Sequence, residues 1–450
     1  MRTVRARTVV LVLAIAASAC TGADPGGTGD ATTPPSPAAT VDGSPPEDSS
    51  PTPESADGAL AGSADLTLGG AGSFRLDGTY PDVDSSCRRA RQPTFEARYP
   101  GDLLVERGEG KTLRVIVTVP FDTYLEGIAE VPPTWPAAAL DAQAIAARSY
   151  ALARIGFTGP DGAAIETPIC ATAACQVYGG IPLEPVPGIK RWHAAVRRTD
   201  GRSLVFQGRP ADAVYFSTSN GRTYGNDQVF GSSPLPYLRG ITERDDGASP
   251  TSRWSVPLPY DDLSTFLSAR GLWGGGRITR VTRRGDAVEL RSGGRSVETI
   301  DEGSFREAVN GAAPCLFPGQ YPTDSRFGSA LPLTIPSRWY VAEPGRGGVD
   351  LVGRGWGHGV GMVQWGAYGK AQEGWTATQI LRAYYGGLRP QPFPEPGPIR
   401  VLVAEGLTSL SVLPEAPGAT FQGQALDDRV VRVEPGGDGV RVRVRRADVS

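Results

Sequence analysis

Glu130 is the first candidate for chemistry, because its carboxyl group stands in an apolar stretch between Ala129 and Val131. Desolvation raises the pKa of a carboxyl group in apolar surroundings, and a general acid at neutral pH needs such a raised pKa. The helix predicted to follow acts in the opposite direction, since a helix N-terminus favours the charged form. The residue is therefore either a general acid or a surface or helix-capping glutamate.

A second candidate is the segment 353–361, in which glycine takes every second position. On an extended backbone this period of two predicts that Arg354, Trp356 and His358 share one face. The opposite face would be bare backbone, open to a ligand or a neighbouring strand. The spacing is not the G-x-G-x-x-G of dinucleotide-binding proteins. The segment is either part of a binding groove or a tight structural strand with one buried histidine.

Hydroxyl and amide side chains cluster in residues 215–223, directly after a predicted strand, and include Ser217 and Ser219. They are suited to binding a sugar. They are equally suited to a hydrogen-bonded turn, because serine, asparagine and glycine favour turns for local reasons. A serine hydrolase would ideally carry a G-x-S-x-G motif, which is missing here.

Regular elements are predicted on both sides of Glu130. Residues 113–119 are largely apolar and β-branched, which predicts a strand. An alanine-rich helix is predicted over residues 137–155, with Pro136 in its first turn, where the missing N–H costs nothing, and Gly156 as its stop. Small side chains on one face of this helix would let another backbone approach closely.

A later helix is predicted over residues 377–385, because Thr376 and Gln379 form a capping box. The 59 glycine and 40 proline residues indicate many turns and argue against an all-helical protein. Short strands are predicted before residue 111 and after Pro398.

Four ordered motifs together resemble the SpoIID/LytB domain family, named after stage II sporulation protein D. The resemblance covers residues 113–388 and leaves both flanks outside. The motifs are residues 124–127 with 130–136 and 139–152, residues 170–180, residues 199–201 with 217–223 and 236–238, and residues 355–362 with 364–367, 380–381 and 384–385.

The resemblance implies a mixed α+β domain and a lytic transglycosylase that cuts peptidoglycan between N-acetylmuramic acid and N-acetylglucosamine. It also implies a preference for glycan strands from which an amidase has removed the stem peptides. Glu130 matches the family's essential acid. It would protonate the leaving glycosidic oxygen, and attack by the muramic C6 hydroxyl would give a 1,6-anhydro end without water. This scheme differs from the two-carboxylate scheme of glycoside hydrolases.

Six further residues match strongly patterned positions of the family. They are predicted to bind sugar or to hold Glu130: Gln143, Arg148, Ser217, Ser219, His358 and Gln364. Two departures from the family pattern concern the acid itself. The segment between Gly127 and Glu130 is about two residues shorter than usual, and Val131 replaces the usual methionine. The shorter loop makes Glu126 a rival acid, although a solvated surface charge is the favoured interpretation of Glu126.

Two other functions stay open. The LytB side of the family is associated with enhancing an amidase, so the chain could bind glycan and recruit or stimulate an N-acetylmuramoyl-L-alanine amidase. It could also be a structural wall protein with a vestigial site. An intact Glu130 beside an intact His358 segment favours the enzyme. No cofactor is predicted.

The first 19 residues are predicted to be an export signal. Three arginines precede a short apolar stretch that ends at a small-residue cleavage site, residues 17–19. Cys20 follows, where a bacterial lipoprotein carries its lipid anchor, although Ala17 stands where leucine is preferred. The protein is predicted to be extracytoplasmic, either lipid-anchored through Cys20 or secreted into the wall. No other segment is predicted to span a membrane.

The cysteine count fits an oxidising compartment. If Cys20 is lipidated, an even four cysteines remain. Cys170 and Cys175 could close a small loop, and Cys87 with Cys315 would then form a long-range disulfide, which is one of three possible pairings. A zinc site is a weaker interpretation, because the chain has 2 histidines in all.

Composition and charge give the predicted organisation of the 450 residues. Residues 20–60 form a disordered linker rich in proline, serine, threonine and glycine. A β-rich region at 61–112 precedes the catalytic domain at 113–390, which has an insertion at about 245–315, and a small β-rich region follows at 396–450. The formal net charge of −3 provides no basic field for nucleic acid.

Overall fold

The computed structural model describes residues 59–61, 66–68, 72–81, 94–159, 167–293, 296–321, 334–415, 418–421, 424–426, 429–437 and 439–446. Within these residues, helices and small sheets alternate along the chain, and the predicted α+β class is confirmed. The predicted signal peptide, Cys20, Cys87 and the predicted linker up to residue 58 lie outside the described residues, whereas residues 59 and 60 at the end of the predicted linker belong to a strand.

The helices are α1 (Phe121–Glu126), α2 (Ala137–Arg154), α3 (Ile189–Arg198), α4 (Asn226–Phe230), α5 (Tyr260–Ala269), α6 (Glu302–Leu316), α7 (Gln364–Gln372) and α8 (Ala377–Tyr384). The two longest of these helices are α2 with 18 residues and α6 with 15 residues. In the part of the chain that the structure describes, no helix combines the length and the apolar character that a membrane span requires.

The strands of the first half are β1 (Ala59–Ala61), β2 (Leu66–Leu68), β3 (Ser73–Thr79), β4 (Thr94–Pro100), β5 (Asp102–Arg107), β6 (Leu113–Val119), β7 (Ile169–Cys170), β8 (Arg202–Phe206), β9 (Arg209–Pro210) and β10 (Tyr215–Phe216). Those of the second half are β11 (Trp254–Pro259), β12 (Arg280–Arg284), β13 (Ala287–Ser292), β14 (Ser296–Asp301), β15 (Tyr340–Gly345), β16 (Gly348–Gly353), β17 (Met362–Val363), β18 (Pro390–Pro392), β19 (Ile399–Leu407), β20 (Ser409–Pro414), β21 (Thr420–Phe421), β22 (Gln424–Ala425), β23 (Arg429–Pro435) and β24 (Val440–Arg446).

A five-stranded sheet in the order β2-β5-β6-β19-β7 supports the region around Glu130. Its central strand β6 has the predicted bounds, because its β-branched side chains pack well on a pleated, buried surface. A second, six-stranded sheet has the order β1-β24-β23-β20-β3-β4. Strands from the two predicted flanking regions therefore share both sheets.

The long helix α2 starts directly after Pro136 and ends at Arg154, one residue before its predicted end. Of its 18 residues 13 are buried, and most of these are alanines, leucine and isoleucine. Small side chains allow α3, α7 and α8 to pack closely around it. The helix α8 also forms where predicted, and the Thr376–Gln379 capping box is present.

A separate core lies in the second half of the chain, where α5 and α6 pack against the sheets β11-β16-β15 and β12-β13-β14. Its buried residues run from Leu258 to Leu351. Asn310 helps to fix its C-terminal part, since its side-chain amide exchanges hydrogen bonds with the backbone of Ile335 at 3.2 and 2.8 Å. This core covers most of the insertion predicted at about 245–315 and extends beyond it to Leu351.

The prediction that residues 353–361 form an extended strand is wrong. Gly355, Gly357, Gly359 and Gly361 all have φ between 76° and 109°, in the left-handed region that other residues rarely adopt. Single bridges join Trp356 to Thr218 and Val360 to Tyr224. The predicted close approach of backbone is nevertheless present, because a Cβ at Gly361 would stand 2.0 Å from the Val214 carbonyl oxygen.

Candidate active site

A short stretch of antiparallel backbone contacts fixes the segment that carries Glu130. Ile128 forms a bridge with Tyr178, and the Ala129 N–H donates to the Val177 carbonyl over 3.0 Å. Gly127 permits this approach, because a Cβ there would stand 2.4 Å from the Tyr178 ring. The Val177 N–H then donates to Oε1 of Glu130 over 2.6 Å. The position of the carboxyl group thus depends on a segment about 50 residues further along the chain.

The side chain of Glu130 is buried, with 4% of the residue exposed. Burial raises the pKa of its carboxyl group from 4.5 to about 7, and this effect exceeds the opposing hydrogen bonds from Val177, Gln364 and Tyr215. Desolvation therefore outweighs the influences that favour the charged form. About half of such groups carry a proton near neutral pH, as a general acid requires.

Replacing Glu130 by glutamine is expected to stabilise the protein at alkaline pH. Because the folded-state pKa is raised, the carboxyl group costs no stability below its ordinary pKa and destabilises the fold as pH rises through about 7. The gap in unfolding free energy between Glu130→Gln and wild type should grow by about 3 kcal/mol from about pH 4.5 to about pH 8. Denaturant unfolding at both pH values measures this difference in unfolding free energy. A difference that does not change with pH would contradict the burial of the Glu130 carboxylate.

Three polar side chains surround the Glu130 segment from different parts of the chain. Gln176 donates through Nε2 to the Tyr124 hydroxyl over 2.7 Å, and the Tyr215 hydroxyl donates to its Oε1, also over 2.7 Å. These residues were not predicted individually, although Tyr124, Gln176 and Tyr215 all fall within or beside the quoted motifs. Their hydrogen bonds hold the wall of the site rigid next to Val177.

Two of the predicted residues, Gln143 on α2 and Gln364 at the start of α7, meet in the buried interior. Gln364 Nε2 donates to Gln143 Oε1 over 3.4 Å, and Gln364 also hydrogen-bonds Glu130. Their other amide atoms, Gln143 Nε2 and Gln364 Oε1, are buried and lack a partner among the residues that the structure describes. Buried polar atoms are normally paired. This donor and this acceptor are suited to the hydroxyl and acetamido groups of a bound sugar.

His358 supports the site through the backbone. Its Nδ1 accepts from the Val360 N–H over 3.1 Å, so the proton sits on Nε2, which donates to the Tyr215 carbonyl over 2.9 Å. Burial lowers the pKa of the imidazole to about 4, which keeps the ring neutral at physiological pH. The structure thus places His358 behind Tyr215, where it holds the strand β10, and the Tyr215 hydroxyl donates to Gln176.

Arg148 is fully buried and lies on a different side of α2. Its guanidinium donates to the carbonyls of Thr199 and Val196 over 2.8 and 3.3 Å, and it pairs with Glu395 at 2.5 Å. These contacts join α2 to the C-terminal end of α3. The structure does not bring Arg148 together with Glu130.

The two predicted serines lie after β10. Ser217 is buried and its hydroxyl stands 3.1 Å from that of Thr218, while its carbonyl accepts from the Trp365 N–H at 3.1 Å. The Ser219 hydroxyl accepts from the Gly221 N–H over 2.9 Å, which is the local turn bond typical of serine. Ser217 therefore joins β10 to the start of α7, and Ser219 shapes a turn.

The rival acid Glu126 ends α1 and forms a salt bridge of 2.9 Å with Arg197. Its side chain is about one-third exposed, at 32%. This environment fits the favoured interpretation as a surface charge.

A disulfide bond between Cys170 and Cys175 closes the loop that leads to Val177, with an S–S distance of 2.11 Å. Because the two sulfurs are bonded to each other, they are not available as thiolate ligands of zinc. Cys315 is disulfide-bonded as well. Its predicted partner Cys87 lies outside the described residues, so that pairing stays a prediction.

Comparisons with known proteins agree with the motifs. The family model described as "Stage II sporulation protein" matches residues 109–206, which carry Glu130 and the segment that holds it. The predicted resemblance to the SpoIID family is therefore confirmed over these residues.

Relatives resemble the chain over somewhat more than half of its length. It is 28% identical to the amidase enhancer of Bacillus subtilis over 57% of this chain and 38% of that protein. It is 27% identical to the stage II sporulation protein D of the same species over 60% of this chain and 74% of that protein. A Brachyspira hyodysenteriae protein of uncharacterised function is 28% identical over 62% of this chain and 68% of its own length.

Proposed function

We propose that this protein is a lytic transglycosylase that cleaves the bond between N-acetylmuramic acid and N-acetylglucosamine in peptidoglycan, with Glu130 as the acid. The observation that carries the proposal is the buried carboxyl group with a pKa of about 7, held by one backbone N–H. Its substrate would be strands without stem peptides, as the family resemblance implies.

In this proposal the two oxygens of Glu130 have separate tasks. Oε1 accepts from the Val177 N–H, so the proton resides on Oε2. Oε2 gives this proton to the glycosidic oxygen as the bond from the muramic C1 to that oxygen breaks. The muramic C6 hydroxyl then forms a bond to C1, and its proton passes to Oε2. The 1,6-anhydro product forms, and Glu130 returns to its protonated state without water being consumed.

The one-carboxylate scheme differs from a hydrolase scheme because it needs no second carboxyl group. A glycoside hydrolase normally places a second carboxyl group within about 5–9.5 Å of the acid. The groups that change the pKa of Glu130, apart from burial, are a backbone amide, a glutamine and a tyrosine. None of the described carboxylates is among them.

An aromatic pocket formed in part by the segment that follows Glu130 supports glycan binding. It has a volume of about 430 Å³, and its lining includes Pro132, Trp365 and Tyr368. The ring centroids of Trp365 and Tyr368 lie 5.4 Å apart, and the buried Trp135 packs against both. Clefts of this size lined by aromatic side chains are typical ligand sites.

A second candidate function is glycan binding that recruits or enhances a cell-wall amidase. The relative from Bacillus subtilis that is named amidase enhancer favours it. In either case the protein would act outside the cytoplasm on peptidoglycan, and a lipid anchor at Cys20 remains part of the proposal. The two functions differ in whether the chain itself breaks glycosidic bonds.

Product analysis tests the proposal. Amidase-treated peptidoglycan is incubated with purified protein and with Glu130→Gln, and the chain ends are analysed by mass spectrometry. We expect 1,6-anhydro-muramyl ends from wild type and none from the variant. Binding of strands by both proteins without new ends would support the amidase-recruiting function instead. New reducing ends would indicate a hydrolase, and equal anhydro ends from both proteins would mean that Glu130 is not the acid.

The reaction should depend on pH as a single acid requires. Because Glu130 must be protonated and its pKa is about 7, kcat/KM should be constant below that pH and should fall tenfold for each pH unit above it. Initial rates on amidase-treated strands measure the profile. A rate that rises through pH 7 would indicate that the ionised carboxylate is the active form.

A further inference from the structure

An arginine-lined cleft lies at the junction of the two cores, outside the Glu130 network. Its volume is about 610 Å³, which is within the range of ligand sites. The loop before β11, the β12–β13 hairpin, and the facing ends of β15 and β16 form its walls. The lining residues that matter here are Asn220, Arg253, Arg283, Arg338, Trp339 and Arg354.

Two of the four arginines build the cleft wall. Arg283 donates to the carbonyls of Arg338 and Tyr340 over 2.6 and 2.9 Å, and Arg338 pairs with Asp286 at 2.8 Å. Asp286 thus offsets part of the positive charge contributed by this pair.

The other two arginines, Arg253 and Arg354, are exposed. Neither has an acidic partner within the part of the chain that the structure describes. The cleft therefore concentrates positive charge on a protein whose formal net charge is −3. Guanidinium groups in such a setting are suited to binding an oxyanion through paired N–H donors.

A polar group and an aromatic ring complete the cleft. Asn220 donates through Nδ2 to the Tyr224 hydroxyl over 2.8 Å, while its buried Oδ1 has no partner among the described residues. Trp339 stacks on Tyr224 with ring centroids 5.5 Å apart. An unpaired acceptor beside an aromatic ring is suited to a sugar, which offers hydroxyl donors and an apolar face.

We propose that this cleft is a second binding site, which takes an oxyanion attached to a saccharide. The oxyanion would bind to Arg253 and Arg354, and the sugar ring would lie against Trp339 with a hydroxyl donating to Asn220. The proposal takes from the proposed function only that the ligand is a cell-wall saccharide. It does not require Glu130 to act as an acid.

The oxyanion has two chemical sources in a cell wall. One is the lactyl carboxylate of N-acetylmuramic acid, which is free once the stem peptide is gone. The other is a phosphate of an anionic wall polymer. Both bind arginine through the same paired oxygen acceptors, so the probes must separate them.

Three monosaccharide probes provide the test: N-acetylmuramic acid, N-acetylglucosamine 6-phosphate and, as the neutral control, N-acetylglucosamine. Binding to purified protein is followed by ligand-detected NMR. We expect one of the acidic sugars to bind about tenfold more tightly than the neutral one, which is the scale of a charge-assisted hydrogen bond. The acidic sugar that binds identifies the source of the oxyanion.

The variants Arg253→Gln and Arg354→Gln should remove this preference. Arg432→Gln, which changes an exposed arginine on β23, should keep it and serves as the matched control. Glu130→Gln should bind the acidic sugar as wild type does, so a failure of the catalytic proposal leaves this test intact. Equal affinity for all three sugars, or an acidic preference that survives both cleft variants, would overturn the proposal.

Discussion

Glu130→Gln is expected to lower kcat/KM for the cleavage of amidase-treated glycan strands by about 10³-fold, which is within the usual range for losing a general acid. The reason lies in the two oxygens of the carboxyl group. Glutamine keeps Oε1 as the acceptor for the Val177 N–H and preserves the shape of the site. It removes only the acidic proton from the position of Oε2, so KM should change much less than kcat.

Glu126→Gln is the matched control, because Glu126 is a half-buried glutamate at the surface, only four residues earlier in the chain. Its rate should stay within about twofold of wild type, since surface substitutions rarely disturb a distant site. A full loss of rate in Glu126→Gln with activity retained in Glu130→Gln would transfer the role of acid to Glu126. Parallel losses in both would point to a structural defect instead, which melting curves of the two variants would reveal.

The elements with strong local signals were predicted from the sequence almost to the residue. The strand β6 forms from a β-branched run, and α2 starts after Pro136 because its alanines favour a helix, although Pro136 is the N-cap and not part of the predicted first turn. The capping box of α8 is also a local signal, since Thr376 and Gln379 are three residues apart. In each case the determining contacts lie within a few residues.

The candidate site depends on distant contacts, and the sequence alone could not supply them. Three different parts of the chain surround Glu130: the Val177 segment, Tyr215 and Gln364. The burial of Glu130 depends on all three. The family motifs identified Gln143 and Gln364 but not their mutual contact. They also grouped Arg148 with these residues, whereas its side chain points to Thr199 and Glu395.

Residues 353–361 show why glycine at every second position was a misleading signal for a strand. Alternation indicates a strand only if every residue has an extended backbone. Here the glycines take left-handed conformations, and their lack of a Cβ allows contact with the backbone of Thr218 and Val214. The glycines are needed for backbone conformation and close packing, and the resulting bends bring His358 behind Tyr215.

A buried charge network ties the end of α7 to the loop after Thr242. Lys370 Nζ donates to both oxygens of Glu243, at 3.0 and 3.3 Å, and to Asp245. The Tyr384 hydroxyl on α8 donates to Glu243 as well. The Glu243 side chain is fully buried, and that of Lys370 is 7% exposed. Since α7 begins at Gln364, this network anchors the helix that presents Gln364 to Glu130.

Lys370→Met is expected to destabilise the protein by about 3–5 kcal/mol, because it leaves the Glu243 carboxylate buried without its cation. Lys190→Met is the matched control, since Lys190 is exposed on α3 and should change stability by less than about 0.5 kcal/mol. Denaturant unfolding near neutral pH measures both. If Lys370→Met costs no more than the control, the network contributes nothing to the fold.

The double variant Lys370→Met with Glu243→Gln separates the loss of an ion pair from the loss of packing. Glutamine at position 243 keeps Oε1 as the acceptor for the backbone amides of Arg244 and Asp245, places an NH2 donor beside the Tyr384 hydroxyl, which can accept from it, and carries no charge. If the uncompensated charge is the cause, the double variant should be more stable than Lys370→Met alone. If it is less stable, the aliphatic contacts of Lys370 are what hold α7 in place, and the position of Gln364 depends on packing rather than on the ion pair.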